Sequence, residues 1–328
     1  MSTLCGLNNV GNTCYLNTTL QCLIRCPQLF EILKSNCNRV ETYSKPEKTI
    51  FIKLHQLCIS MKTNSKFTPN ELIQNLELLA RKNKHLQFSN LRLQHDMSEF
   101  LMYLVDKIHE AISHKVSIQI KGTPDTSLDN QTINAMTQFK EFFSDNYSDV
   151  VPAFFGQFQS SIHYINSNKF SYAYNPFMSI QLDIPNNTGT RLNLYDCFNK
   201  FTSVETINSD ETKIHMRFKI WKFPKYLIIV LKRFTQQCRK RNDIIDIPLT
   251  FDGREYCVGP SKFKSKFKLI SVGNHRGSTR GGHYYAYVRD IVSDNWFICN
   301  DCTVRPLNNI NSISSPFAYC LIYEKIIS

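Results

Sequence analysis

Apolar residues follow two different periods along this chain. In the first third they recur at helical spacing. Leu16, Leu20, Leu23 and Ile24 stand at i, i+4, i+7 and i+8, and Pro27 ends the run. Thr68-Pro-Asn-Glu71 reads as a capping box with proline at the first helical position. The helix it opens turns Leu72, Ile73, Leu76, Leu79 and Ala80 inward. Met97, Phe100, Leu101, Leu104, Val105, Ile108 and Ile112 mark a second, clearly amphipathic helix. Residues 113–135 are polar and rich in turn formers, and are expected to form a surface loop.

In the second half the pattern becomes that of strands. Tyr226–Leu231 is a continuous apolar run of strand length, hence a buried strand. Phe263, Ser265, Phe267 and Leu269 alternate with lysines, which is period two. His283–Val288, Trp296–Cys299 and Ala318–Tyr323 predict further short strands. Helices first and strands later predict an α+β protein of two lobes with a cleft between them. No internal repeat or low-complexity tract interrupts this order.

Composition narrows the class. The chain has 328 residues, 42% hydrophobic and 20% charged, as in a folded soluble protein. Its longest apolar run is far too short to span a bilayer. The N-terminal residues lack the basic and apolar regions of a secretory signal. A cytosolic or nuclear location is therefore expected, where the twelve scattered cysteines stay reduced and are mostly buried. The net charge of +12 gathers between Arg217 and Arg241 and between Lys262 and Lys268. No zinc-finger or RNA-binding signature accompanies it. Solvated faces and lysines that blunt strand edges account for it, so neither a nucleic-acid nor a membrane partner is expected.

Chemistry enters at Gly11-Asn-Thr-Cys14-Tyr-Leu16. A thiolate is favoured at a helix N-terminus, where unpaired amides and the macrodipole stabilise an anion. Asn12 or Thr13 can cap a helix whose periodicity starts at Leu16. A nucleophilic cysteine also needs a histidine brought close by the fold. Among the nine histidines His283 differs, because Gly281 and Gly282 precede it and a strand follows. The glycines allow a close approach of backbone or substrate. Trp296-Phe-Ile-Cys-Asn300-Asp301 then ends a strand in two residues able to accept the imidazole N–H. A short polar turn at Asp290–Asn295 can bring that strand end beside His283.

These pieces resemble the ubiquitin-specific proteases, the papain-like cysteine deubiquitinases. Residues 6–21 (GLNNVGNTCYLNTTLQ) resemble the family's Cys box, 94–100 (QHDMSEF) an internal Gln-Asp-Glu motif, and 224–234 (PKYLIIVLKRF) the strand before a blocking loop. Residues 269–289 (LISVGNHRGSTRGGHYYAYVR) resemble the His box, WFICNDCTV the segment of the third residue, and AYCLIYEK the closing strand. The resemblance implies a papain-like α+β fold in a single catalytic domain over 1–328. Its helical thumb would occupy about 1–145, a fingers-rich part about 146–215 and the palm about 216–328. It implies Cys14 as nucleophile, His283 as general base and acid, and Asn300 as the orienting residue with Asp301 assisting or replacing it. Asn9 matches the oxyanion-hole side chain. Asp96 and Glu99, at i and i+3 of a helix start, match acids that meet the basic tail of ubiquitin. Tyr284, Gly281 and Gly282 would line the channel for a Gly-Gly tail.

The implied activity is hydrolysis of the bond after the C-terminal glycine of ubiquitin, by a monomer acting on ubiquitin and ubiquitinated proteins. The same chemistry on a ubiquitin-like modifier, or an inactive ubiquitin-binding module, are the alternatives. Many family members hold a structural zinc with two Cys-x-x-Cys pairs in the fingers. Here 155–165 and 204–214 contain no cysteine, and Cys299/Cys302 is a single pair. No metal and no organic cofactor is therefore expected. Thr235–Asp243 and Asn274–Gly282 are the candidate blocking loops.

Overall fold

The computed structural model describes residues 4–42, 44–84, 86–186, 189, 191–208, 213–235, 237, 239–278 and 281–326. The first part alternates two short strands with helices: β1 (Gly6–Leu7), α1 (Cys14–Leu23), α2 (Pro27–Glu41), α3 (Lys48–Thr63), β2 (Lys66–Phe67), α4 (Asn70–Lys82) and α5 (Met97–Ile112). Pro27 ends one helix and begins the next, since it is the first residue of α2. The apolar positions expected on α4 and α5 are all buried. Asp96 caps α5 by accepting from Ser98 N and Glu99 N.

Two local expectations fail. α4 opens without the Thr68–Glu71 box: Pro69 stands at its N-cap with no side-chain bond. Thr68 Oγ1 accepts instead from Asn8 Nδ2 at 2.7 Å, and Glu71 pairs with Lys53 at 2.6 Å. The expected loop over 113–135 contains the start of a helix, α6 (Ser127–Phe143), followed by α7 (Val150–Phe154). A reciprocal box begins α6, with Thr126 Oγ1 accepting from Asp129 N (3.1 Å) and Asp129 Oδ2 from Thr126 N (2.9 Å).

The remaining elements are β3 (Gly156–Tyr164), β4 (Lys169–Phe177), β5 (Ser179–Asp183), β6 (Leu192–Asn193), α8 (Leu194–Phe201), β7 (Val204–Asn208), β8 (Lys213–Lys222) and β9 (Tyr226–Lys232). After them come β10 (Ile245–Asp246), β11 (Thr250–Asp252), β12 (Lys266–Ser278), β13 (Gly281–Arg289), β14 (Trp296–Asn300), β15 (Thr303–Pro306) and β16 (Ala318–Lys325). The described residues build an eight-stranded palm sheet ordered β15-β14-β13-β12-β16-β9-β5, with β11 beside β12. A four-stranded sheet, β4-β3-β8-β7, forms the fingers.

The palm sheet is buried on both faces. Tyr226, Ile228 and Val230 of β9 pack into the helical lobe, while Leu227, Ile229 and Leu231 face a second core that includes α8. That explains the unbroken apolar run of β9, which one-sided burial would have turned into alternation. The alternation around Phe263 is only partly a strand. β12 starts at Lys266, and Phe263 lies in a 3-10 turn with 80% of its surface exposed. Nor do the two sheets divide the chain at residue 215. β5 and α8 fall within 146–215 yet join the palm sheet and its second core, and β8 runs on to Lys222.

Candidate active site

Cys14 is the first residue of α1, so its amide is among the first-turn donors that have no partner within the helix. The turn before it is left-handed, with φ of 110° at Gly11 and 47° at Asn12. Neither Asn12 nor Thr13 caps the helix through its side chain: Thr13 occupies the N-cap without a cap bond. Asn9 organises the turn. Its Oδ1 accepts from Gly11 N at 3.2 Å and Thr13 N at 3.0 Å, and Thr13 Oγ1 donates to it at 3.1 Å.

His283 and Asn300 come from neighbouring strands. β13 pairs with β14 through Ala286↔Cys299, and Asp290 N donates to Asn295 O at 2.8 Å across the connecting turn. This is the expected hairpin, and it places Asn300 Oδ1 2.6 Å from His283 Nε2. His283 Nδ1 is thereby left for the thiol, and the imidazole shares a side-chain hydrogen bond with Cys14. That bond first, then the one to Asn300, pushes the His283 pKa up to about 9 against the opposing effect of burial. The imidazolium form is thus favoured at neutral pH.

Asp301 lies elsewhere than expected. Its Oδ2 accepts from Asn9 Nδ2 at 3.0 Å and its Oδ1 from Asn17 Nδ2 at 2.8 Å. It reaches His283 only through its charge. With φ of 48° it turns the chain at the end of β14, which aims its carboxylate at the start of α1 and not at the imidazole. Asn17 also donates to Leu7 O at 3.2 Å, so one buried amide joins α1, β1 and the β14–β15 turn. Sequence reasoning passed over Asn17. Its signal is an amide three residues beyond Cys14 on a helix that is buried throughout.

A cleft of about 450 Å³ opens beside Cys14. Asp96, Gly281, Gly282 and Tyr284 line it, as the resemblance implies, together with Gln94, Phe234 and His275. A Cβ on Gly282 would stand 2.3 Å from His275 Nε2, and one on Gly281 would stand 2.8 Å from Gln94 Oε1. Hence the wall accepts no side chain at either position without displacement. Burial, then the charge of Lys240, pushes the His275 pKa down to about 4 and keeps this second histidine neutral.

Asp96 and Glu99 do not face one way. Asp96 Oδ2 accepts from Tyr319 OH at 2.6 Å and Tyr284 OH at 3.4 Å. Glu99 is exposed, bonds Gln87 Nε2 and does not line the cleft. Asp96, at the N-cap, turns its carboxylate back over the first turn of α5, whereas the Glu99 carboxylate accepts from Gln87. Much of Asn274–Gly282, expected as a loop, is the tip of the β12–β13 hairpin; Thr279 and Arg280 lie outside the described residues. Thr235 bridges to Arg239 within the other candidate loop, whose Gln236 and Cys238 are also outside them. Among the described residues no group of three or more His, Cys, Asp or Glu side chains could hold a metal ion.

The family model described as ubiquitin carboxyl-terminal hydrolase matches residues 5–323. Ubiquitin carboxyl-terminal hydrolase Usp2 of Drosophila melanogaster is 30% identical over 339 residues, covering 98% of this chain and 35% of that protein. Ubiquitin carboxyl-terminal hydrolase 2 of Gallus gallus is 30% identical over 347 residues, covering 98% of this chain and 93% of that protein. The chain thus spans only about a third to a half of the length of several curated relatives. A solved structure of the SAGA Ubp8/Sgf11/Sus1/Sgf73 DUB module bound to ubiquitin aldehyde superposes with a TM-score of 0.75 at 23% identity, over 99% of this chain and 70% of that one. That likeness establishes the papain-like α+β fold. The family match runs through every motif that the fold gathers at the cleft, and the chain belongs to the ubiquitin carboxyl-terminal hydrolase family.

Proposed function

We propose that this chain is a thiol-dependent deubiquitinase that hydrolyses the peptide or isopeptide bond after the C-terminal glycine of ubiquitin. The observation that carries the reading is the Cys14–His283–Asn300 array at the edge of a narrow, glycine-walled cleft. Curated relatives named ubiquitin carboxyl-terminal hydrolases support the substrate, as does a similar protein solved with ubiquitin aldehyde.

Cys14 Sγ attacks the scissile carbonyl. The Cys14 amide and the Asn9 side-chain amide stabilise the oxyanion, with Asp301 holding Asn9 in place. His283, carrying the proton taken from the Cys14 thiol, gives it to the leaving amine as the C–N bond breaks and a thioester is left on Cys14. It then takes a proton from water, whose oxygen attacks the thioester and displaces the Cys14 thiolate. Asn300 keeps the imidazole turned toward the thiol throughout. The Gly281–Gly282 wall, Tyr284 and Asp96 border the path of a Gly-Gly tail, and Glu99 offers an outer acid to a basic residue further along it. The reaction requires no metal or organic cofactor.

The enzyme acts as a monomer on ubiquitin and ubiquitinated proteins in the cytosol or nucleus, with no nucleic-acid or membrane partner. Every cysteine among the described residues is a free thiol, which suits a reducing compartment. The test is incubation with ubiquitin bearing a C-terminal thiol-reactive electrophile. A covalent adduct is expected, lost in Cys14→Ala and absent with the same electrophile on a ubiquitin-like modifier. A folded wild-type protein that forms no adduct with ubiquitin would overturn the proposal.

A further inference from the structure

The nucleophile and the base sit on different elements, and their alignment depends on how α1 lies against β13 and β14. Along α1 one face carries polar side chains at i, i+4 and i+8: Asn17, Gln21 and Arg25, each at most 2% exposed. Asn17 bonds Asp301 and Leu7, and Gln21 Nε2 donates to Cys5 O at 2.6 Å. Arg25 follows the end of α1, and its Nη1 lies 3.8 Å from Asp290 Oδ1. Asp290 is the residue after β13 and is itself only 2% exposed. Its other carboxylate oxygen accepts from Ser293 N at 3.0 Å and Ser293 Oγ at 2.8 Å, which shapes the turn into β14.

Geometry makes this pair a far anchor. From Cys14 to Arg25 is roughly 16 Å along a helix. From His283 to Asp290 is roughly 23 Å along a strand. The two elements run side by side in the same direction, with the dyad at one end and the ion pair at the other. Two attachment points set the angle between them. With the near end alone, α1 could pivot on its apolar contacts.

We propose that Arg25 and Asp290 are positioning residues for the hydrolysis proposed above: their buried ion pair clamps the C-terminal end of α1 to the β13–β14 turn and so holds Cys14 in register with His283. The inference rests on that reading of the site. Stability alone does not account for such a pair. Replacing a buried ion pair by apolar residues of similar volume is often neutral or stabilising, because two charges have been desolvated. What a single pairing geometry supplies is a specific arrangement, and near-attack alignment loses rate steeply with displacement.

The test is the double variant Arg25→Met with Asp290→Asn, which removes both charges at little change in volume. Thermal unfolding is expected at or above the wild-type temperature. Ubiquitin-substrate kcat should fall about 10-fold with KM unchanged. The pH profile of Cys14 alkylation by iodoacetamide should depart from that of the wild type, because the thiol moves out of register with His283. A merely structural pair would lower the unfolding temperature and leave the alkylation profile unmoved. Arg25→Lys, which keeps the charge but not the planar fork, should shift the same profile by a smaller amount and serves if the double variant does not fold. Wild-type profiles in both variants would overturn the clamp. Alkylation needs no ubiquitin, so a wild type inert toward ubiquitin would sink the deubiquitinase reading without deciding the clamp, which the alkylation profiles would still test.

Discussion

The junction of α1, β13 and β14 and the four-stranded fingers are held together in opposite ways. At the junction, side chains far apart in sequence bond one another: Asn9 and Asn17 with Asp301, and His283 with Asn300. Around them the packing is dense, and every residue of α1 is buried. The fingers rely on backbone pairing. All five residues of β7 are exposed, and the buried apolar cluster between fingers and α6 comprises only Ala135, Tyr174 and Trp221. Amides fill the rest of that contact: Gln159 Nε2 donates to Gln131 Oε1 at 2.9 Å, and Tyr174 N to Gln138 Oε1 at 2.7 Å. Bond-making tolerates little displacement, so its residues are tied from several directions. The fingers carry no such constraint, and a sheet with few buried apolar contacts to its neighbouring helix belongs at the low end of local stability.

The strongest test of this contrast is Asn300→Ala. Its bond to His283 Nε2 orients the ring, and kcat should fall about 100-fold, within the range of lost general acid–base alignment. The pH profile carries the sign. In the folded protein the His283 pKa is raised to about 9 by Cys14 and then by Asn300. Stability from these bonds is therefore fully present below about pH 6.5, the ordinary histidine value, and is lost as pH rises through about 9. Without Asn300 the imidazolium loses its proton earlier, so the alkaline limb of kcat/KM should move to lower pH. An unmoved limb would mean that Cys14, and not the Asn300 bond, sustains the imidazolium.

The same contrast governs what the sequence reveals. Cys14, His283 and Asn300 are legible because the chemistry restricts residue type and local position: a thiol at a helix start, a histidine after two glycines, an amide at a strand end. The β13–β14 hairpin needs only a short polar turn, so its pairing follows from nearby residues. The supports are not legible in this way. Asn9 meets Asp301 across 292 residues, and Tyr319 meets Asp96 across 223, and no local pattern encodes either contact. Thr68 looks like a cap until Asn8 engages it. α6 hides for another reason. Only Ala135 and Phe143 are buried on it, too few to write a helical period, although the spacing of Thr126 and Asp129 matches a capping box.

Trp221→Ala probes the fingers directly. The indole is 4% exposed and meets Tyr174 edge-on, with ring centroids 4.9 Å apart and 71° between the planes. Its loss should cost about 3 kcal/mol in chemical denaturation, as for other buried aromatic truncations. Hydrogen exchange should quicken across β3, β4 and β8. For a ubiquitin substrate KM should rise several-fold while kcat stays at the wild-type value. A fall in kcat comparable with that of Asn300→Ala would show the two regions to be coupled, and would end the separation drawn here.

Thr126→Ala should have the smallest effect and gives the finest resolution. Thr126 is exposed, and within the capping box its hydroxyl accepts from Asp129 N and donates to Asp129 Oδ2. Removing a cap of this kind costs about 1 kcal/mol. α6 has only two buried residues with which to offset the loss, so the amides of Asp129 and Asn130, bonded to Thr126 Oγ1 and O, should exchange faster while those of α1 and α5 do not change. Because α6 packs on the fingers and contributes nothing to the cleft lining, both kcat and the pH profile should match the wild type. Faster exchange confined to α6 with intact catalysis would mean that this helix frays independently of the active site. A loss of kcat from so remote a cap would instead require the fingers to set the geometry of the junction, reversing the order of dependence between the two regions.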